Sequence, residues 1–353
     1  MFRPISPPLA PPLPLLITGI SGVMGYNALP YFQAKYPGQV YGIRQRDNSK
    51  LSGPGILECD ADDGETLRRL FDEHRFAAVL DCAGNCNLRS CEINPDLARR
   101  INVEGPRTML DVIAGRDGTS SGLPGTPAEQ PVRLVHLSVD LVFSGHGRGN
   151  YREDHPTDPV TVYGQTMVES ERLIAAADPR ACILRISLPM GISLNGHAGA
   201  IDWITSRFKK ERPATLYFDE IRTPTYTDCG NELYDAVLAS DMSGIYHAGG
   251  PRKLSLFQVA QVINRIGGYD PKCLRGCPRI KAGPIPPRAG NVAMDSSKLA
   301  SALGFDPFDP WPLYEEFVPT HPDWHHERQG FKGSPGLLAE VLCRNPRRVA
   351  ETG

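Results

Sequence analysis

No stretch of this chain approaches the roughly 20 consecutive apolar residues of a membrane-spanning helix. The opening MFRPISPPLAPPLP is broken by prolines before the apolar core of a secretory signal can form. A cytoplasmic protein is therefore expected. Blocks of one charge are missing too: 38 basic and 40 acidic residues are interspersed, for a net charge of -2. Such a balance offers no electrostatic footprint for nucleic acid or an anionic membrane surface, and leaves a small molecule as the expected partner. Nine cysteines, an odd number in 353 residues, read as thiols in a reducing compartment, not as a disulfide framework. Neither Cys82, Cys86 and Cys91 nor Cys273 and Cys277 has the paired CxxC spacing of structural zinc. Adjacent residues on regular structure diverge, so His325 and His326 are read as surface side chains and no metal is expected.

What the chain does have is an alternation of short apolar runs with helical patterns. LPLLITG, VYGIR (40–44), ILECD (56–60), AAVLDCAG (77–84), VRLVHLSVD (132–140) and ACILRIS (181–187) read as strands separated by helices. Repeated this often, the pattern predicts an α/β fold of the Rossmann type: a doubly wound parallel sheet covered on both faces, with a smaller C-terminal α/β lobe. Residues 1–12 are expected to be a flexible lead-in, 13–188 a dinucleotide-binding domain with a surface insertion at 115–130, and 189–318 mainly a substrate-binding lobe. That lobe is predicted to hold helices near 199–210, 228–239 and 255–266 and a strand near 215–218. No period assigns a structure to 319–353.

Directly after the first strand stands TGISGVMG, opening a helix that runs to about Lys35. Gly19, Gly22 and Gly25, with Ser21, Val23 and Met24 between them, let the chain turn tightly, press backbone amides against a pyrophosphate and pack helix on strand. The second strand ends in Arg44 and, just beyond it, Arg46, where an NAD-specific protein places an acid for the ribose 2′-hydroxyl. Arginine there suits a 2′-phosphate, so NADP(H) is expected in preference to NAD(H); two solvated loop arginines are the plainer alternative. Asp60 is a candidate for the adenine amine or a turn-forming residue.

TGISGVMG, LVHLSVDLVFSG, VYGQTMVESE, RTPTYTD (222–228), GIYHAGGPRKLS (244–255) and NVAMDSSKL (291–299) follow one another as in a known family. Across about residues 13–305 the chain resembles the extended short-chain dehydrogenase/reductases typified by dTDP-4-dehydrorhamnose reductase. It is also similar to the non-catalytic beta subunit of methionine adenosyltransferase, especially in the arginines after the second strand. The resemblance implies a cofactor cleft that includes Ala83, Gly84 and Leu188, although SLPMG (187–191) also reads as a buried connection. It implies Tyr163 as the proton donor and Asn102 as a site-lining residue, with a helix-surface or capping asparagine as the other reading. Asp140, Arg222 and Asn291 correspond to segments that line the nucleotide-sugar cleft, and Asp140 reads equally as a loop cap. A homodimer through helices of the first lobe is implied by analogy.

The family's lysine, four residues after the tyrosine, corresponds to Met167, and its strand-end serine or threonine to Val139. A thioether carries no charge to lower the tyrosine pKa and donates nothing to a ribose. Valine removes a hydroxyl that positions the substrate oxygen, and Ser138 is predicted to point to the opposite face of its strand. Two readings follow: an NADP(H)-dependent reductase of a 4-keto nucleotide sugar with an atypical active site, or a catalytically impaired NADP(H)-binding regulatory or structural subunit.

Overall fold

The computed structural model describes residues 10–48, 50–117, 131–196 and 198–348. Residues 1–9 of the lead-in and 118–130 of the insertion lie outside them. The first half alternates β1 (Leu15–Ile17), α1 (Val23–Lys35), β2 (Val40–Arg44), β3 (Ile56–Glu58), α2 (Gly64–His74), β4 (Ala78–Asp81), α3 (Leu88–Ile93), α4 (Pro95–Arg99), α5 (Gly105–Asp117), β5 (Arg133–Val139), α6 (Val162–Ala177) and β6 (Cys182–Ile186). A π-helical turn, Arg100–Glu104, joins α4 to α5.

Side chains of a strand alternate between faces, and here both faces are covered. Leu15 and Ile17 enter one apolar cluster with α1, whereas Leu16 between them enters another with Leu67, Phe71, Met109 and Ile113 of α2 and α5. Beyond β6 come β7 (Pro189–Met190), α7 (Ala200–Lys209), β8 (Ala214–Tyr217), β9 (Ile221–Arg222), β10 (Thr225–Tyr226), α8 (Thr227–Leu238), β11 (Gly244–Ala248), β12 (Leu254–Ser255), α9 (Leu256–Ile266), β13 (Leu274–Cys277), α10 (Ser297–Leu303) and α11 (Pro335–Leu342). Their small sheets are three pairs: β7 with β10, β9 with β12, and β8 with β13.

The large sheet is parallel in the order β11-β6-β5-β4-β1-β2-β3. Its seventh strand, β11, comes from the stretch expected to serve the second lobe. Helix α8 likewise packs on the sheet layer, with Asp235 accepting hydrogen bonds from Lys35 Nζ and Tyr36 OH of the α1 end. The order of strand addition reverses between the parallel neighbours β1 and β4, the switch point at whose C-terminal ends such sheets bind ligands in a crevice.

The tail is ordered as far as it is described. Trp311 Nε1 donates to the Leu342 carbonyl at 3.0 Å and Tyr226 OH to that of Val341 at 2.9 Å, both buried. Asn345, 0% exposed, donates through Nδ2 to Asp309 and through its backbone N–H to Asp228. His325 corrects the surface reading: a tight turn, Trp324–His326, tucks it against α9, where it is 3% exposed and its Nδ1 lies 3.2 Å from Gln261 Nε2. His326 is exposed. No helix among the described residues is long and apolar enough to cross a membrane.

Candidate active site

The glycine turn sits at the crevice. Gly19 has φ +64°, and a side chain there would run into the Cys82 carbonyl on the loop after β4. A Cβ on Gly25 would lie 2.5 Å from the Gly19 carbonyl oxygen. Gly22 differs, because its Cβ would meet only that same oxygen, at 3.4 Å. No side chain caps α1 and no acid occupies its first turn. The amides around Ser21, Val23 and Met24 therefore keep their donors at the positive end of a helix, a chemistry that fits a pyrophosphate.

Across the crevice, Thr18 Oγ1 accepts from the Cys82 and Ala83 amides, both at 3.1 Å, and donates to Asp81 at 2.5 Å. Asp81 in turn faces His136 Nδ1 at 2.8 Å, and Ser170 Oγ lies 3.5 Å from His136 Nε2. Burial opposes the charge on Asp81, yet His136 and Thr18 hold its carboxyl below the ordinary range. The order Ser–His–Asp is that of a hydrolytic relay, but Ser170 is 0% exposed on the buried face of α6, so no substrate reaches it. The relay ties β4, β5 and α6 together.

At the adenosine end, Arg44 is 9% exposed and directed to Glu58 and to the carbonyls of Gln45 and Arg46. Arg46 is exposed, pairs with Asp63 and donates to Thr66 at 2.8 Å. Its backbone N–H is taken by Asp60 at 3.2 Å, so Asp60 shapes this loop. Of the two arginines, only Arg46 has a guanidinium at the surface.

Tyr163 lies in the first turn of α6, which Thr161 caps by accepting from the Gly164 amide at 3.0 Å. It is 9% exposed and packs with Val139, Met167 and Cys91 in one apolar cluster. Its hydroxyl makes no hydrogen bond among the described residues. Burial pushes the phenol well above its usual pKa of 10.0, helped by neighbouring Cys86 and Asp140 and opposed by Arg222. Met167, where the resemblance puts the family's lysine, is 2% exposed in the same cluster. Ser138 points away as the alternation requires, donating to Glu171 at 2.5 Å, and Glu171 is itself gripped by Arg185.

Asn102 is 1% exposed on the π-helical turn, which excludes a surface or capping role. It accepts from the Asn85 amide at 2.7 Å and donates to Thr166 Oγ1 at 2.9 Å, binding the loop after β4 to the start of α6. Gly84 lies against it, since a Cβ there would stand 3.6 Å from Asn102 Oδ1. Asp140, 0% exposed, and Arg222, 7% exposed, face each other through two hydrogen bonds of 2.6 and 2.5 Å, with Ser187 as a further donor to Asp140. Glu220 extends the line and is held in turn by Arg288 at 2.8 Å. Asn291 closes the loop before Tyr151 by donating to the Arg148 carbonyl at 2.9 Å. Leu188 accepts from the Thr225 amide at 3.1 Å, which seats the connection after β6. Two contributors escaped the sequence reading. Thr166 stands three residues after Tyr163, and Cys86 was weighed there only as a metal ligand.

The sequence pattern of the RmlD substrate binding domain matches residues 13–313. The chain belongs to this family. A dTDP-4-dehydrorhamnose reductase of Streptomyces griseus is 28% identical over 305 residues, covering 84% of this chain and 90% of that one. Methionine adenosyltransferase 2 subunit beta of Danio rerio is 21% identical over 292 residues, covering 81% of this chain and 83% of that one. Among solved structures, a dTDP-4-dehydrorhamnose reductase from Bacillus anthracis in complex with NADP has the same fold, with a TM-score of 0.69 at 19% identity over 84% of this chain and 95% of that one. In this structure the glycine turn packs on the loop after β4 through Gly19 and Cys82, Cys91 just beyond that loop shares an apolar cluster with Tyr163, and Arg222 is paired with Asp140.

Proposed function

We propose that this protein is an NADP(H)-dependent reductase of a 4-keto nucleotide sugar, working in the cytoplasm and in the reducing direction. The observation that carries the reading is the unpartnered hydroxyl of Tyr163, on a side chain nine-tenths buried at the C-terminal edge of the sheet that carries the open Gly22 turn. When bound, the nicotinamide supplies a hydride to the substrate carbon. Tyr163 supplies the proton to the carbonyl oxygen, and its raised pKa keeps that proton on the phenol at neutral pH. Asn102 fixes the first turn of α6 through Thr166, whose hydroxyl bonds the Tyr163 carbonyl at 2.8 Å. Arg46 is the group for a 2′-phosphate, and the amides of Ser21, Val23 and Met24 are those for the pyrophosphate.

Met167 and Val139 set the rate. Each missing polar group costs about 100-fold or more in acid–base catalysis, so turnover is slow. Alcohol oxidation suffers more, because it needs tyrosinate. A second reading, an NADP(H)-binding subunit without turnover, draws on one observation: the lysine position is filled by a methionine packed into an apolar cluster. Fluorescence titration with NADPH and NADH, followed by an assay with a dTDP-4-keto-6-deoxy sugar, separates the two. Binding with slow reduction supports the reductase; binding without reduction supports the subunit; no binding of either nucleotide removes both.

A further inference from the structure

The family pattern ends at residue 313, and the described chain runs on to 348. That extension closes on one place. The carbonyls of Val341 and Leu342 accept from Tyr226 OH and Trp311 Nε1 at 2.9 and 3.0 Å, and the same Tyr226 hydroxyl accepts from the Leu313 amide at 2.9 Å. Just past α11, the Asn345 amide donates at 2.8 Å to Asp228 in the first turn of α8, a helix with no side-chain cap of its own. Asn345 Nδ2 reaches Asp309 at 2.8 Å and the Cys229 sulfur at 3.2 Å. Tyr226, Trp311, Leu342 and Asn345 are fully buried, so water does not compete for these bonds.

What the extension grips leads to the crevice. Tyr226 stands opposite Met190 in the parallel β7–β10 pair, and the Thr225 amide donates to the Leu188 carbonyl at 3.1 Å. The connection from Ser187 to Ile192 is pinned at both ends. Ser187 Oγ donates at 2.6 Å to Asp140, which follows directly on Val139, a neighbour of Tyr163 in one apolar cluster. At the other end Asn27 Nδ2 of α1 donates to the Ile192 carbonyl at 2.8 Å, and the Asn27 carbonyl accepts from Asn231 of α8 at 3.1 Å. The connection therefore runs from the tyrosine side to the helix that the glycine turn opens, with Leu188 and Pro189 half-buried between. A ligand that spans those two points lies along it. Resting on the reductase reading above, we infer that residues 335–345 are a positioning strap: through Tyr226 and Asn345 they hold the connection Leu188–Ile192 in place for the nicotinamide end of the dinucleotide. The plainer view, a tail that only adds stability, predicts the same effect on every ligand.

Tyr226→Phe removes the bonds to Val341 and Leu313 without opening a cavity, and Asn345→Ala cuts the side-chain ties to Asp309 and Cys229. Calorimetry on the full chain measures the affinity of each variant for NADPH and for 2′-phospho-ADP-ribose, which lacks the nicotinamide end. Phe71→Leu, in the apolar cluster on the other face of the sheet, is the control for lost stability. Both strap variants weaken NADPH about fivefold, the worth of one hydrogen bond, and leave 2′-phospho-ADP-ribose unchanged. Hydrogen exchange quickens in peptides covering 186–192 and stays as it was in β1 and β4. Parent-like NADPH affinity in both variants, or parent-like exchange over 186–192, overturns the strap and leaves the reductase reading standing. So does an equal loss for the two nucleotides, or the same NADPH loss in Phe71→Leu. No binding of NADPH by the parent protein removes the reductase reading, and the inference with it.

Discussion

Met167→Lys is the substitution on which the reading of the active site turns. Residues four apart on a helix are neighbours, so the new ammonium would extend along the face of α6 that carries Tyr163. At a separation of about 5 Å and an effective dielectric constant of about 20, a unit charge stabilises tyrosinate by about 3 kcal/mol, or about two pK units. The phenol begins well above its ordinary value because burial holds it there, so the charge brings it back toward the usual range. Alcohol oxidation at a fixed pH should rise about 100-fold, while reduction, which uses the protonated phenol, gains less. A charged hydrogen bond to the nicotinamide ribose should tighten NADPH binding by tenfold or more, at about 1.5–3 kcal/mol. The cluster that receives the lysine is apolar and Asp140 is already paired with Arg222, so the free protein should lose stability and recover it with NADPH. Fluorescence titration, initial rates in both directions across pH and thermal melts with and without NADPH read all of this. Unchanged affinity together with an unchanged oxidation profile would refute the placement of Met167 at the lysine position.

The glycines divide by packing: Gly25→Ala should cost about 3 kcal/mol in urea unfolding through its clash with the Gly19 carbonyl, whereas Gly22→Ala should fold normally and lose nucleotide binding. A Gly22→Ala protein that still binds NADPH would contradict the pyrophosphate cradle. Arg46→Ala should weaken NADPH tenfold or more and leave NADH nearly unchanged; equal losses for both would mean that Arg46 only shapes its loop. Burial lowers the pKa of His325 to about 4 from an unfolded value of 6.5, so the unfolded chain takes up its proton first as the pH drops. Stability is then full above pH 6.5 and falls toward pH 4 by about 1.4 kcal/mol per pH unit for this histidine. His325→Gln should flatten that slope in urea midpoints, and an unaltered slope would assign it elsewhere.

The central sheet was legible because parallel strands buried on both faces read as unbroken apolar runs, as LLI and AVLD do. Strand β11 did not read that way. It is an edge strand with Gly244 exposed and His247 next to its end, so nothing in GIYHA signals membership of a sheet far back in the chain. The tail hid for a related reason: it is anchored by single large side chains, Trp311 and Trp324, and by one buried asparagine, none of which leaves a period. At the site, local spacing revealed the glycine turn and Tyr163. The bond between Asp140 and Arg222 spans 82 residues, and that from Asn102 to Thr166 spans 64, so neither could be read from spacing.

The same geometry decides which features argue for a ligand. Gly19 and Gly25 would be required in an empty fold, since backbone crowds both positions, and their presence alone says nothing about a nucleotide. Gly22 has no such packing reason; the space beside it is open, and glycine there serves something that approaches from outside. The Tyr163 hydroxyl is the second feature of this kind, because the side chain is nine-tenths buried in an apolar cluster and its hydroxyl bonds nothing among the described residues, where a phenylalanine would pack as well. These two positions, one at each end of the crevice, are where the fold gives up packing or hydrogen bonding that it could otherwise have kept. A dinucleotide lying across the sheet edge, with a carbonyl at its nicotinamide end, satisfies both at once.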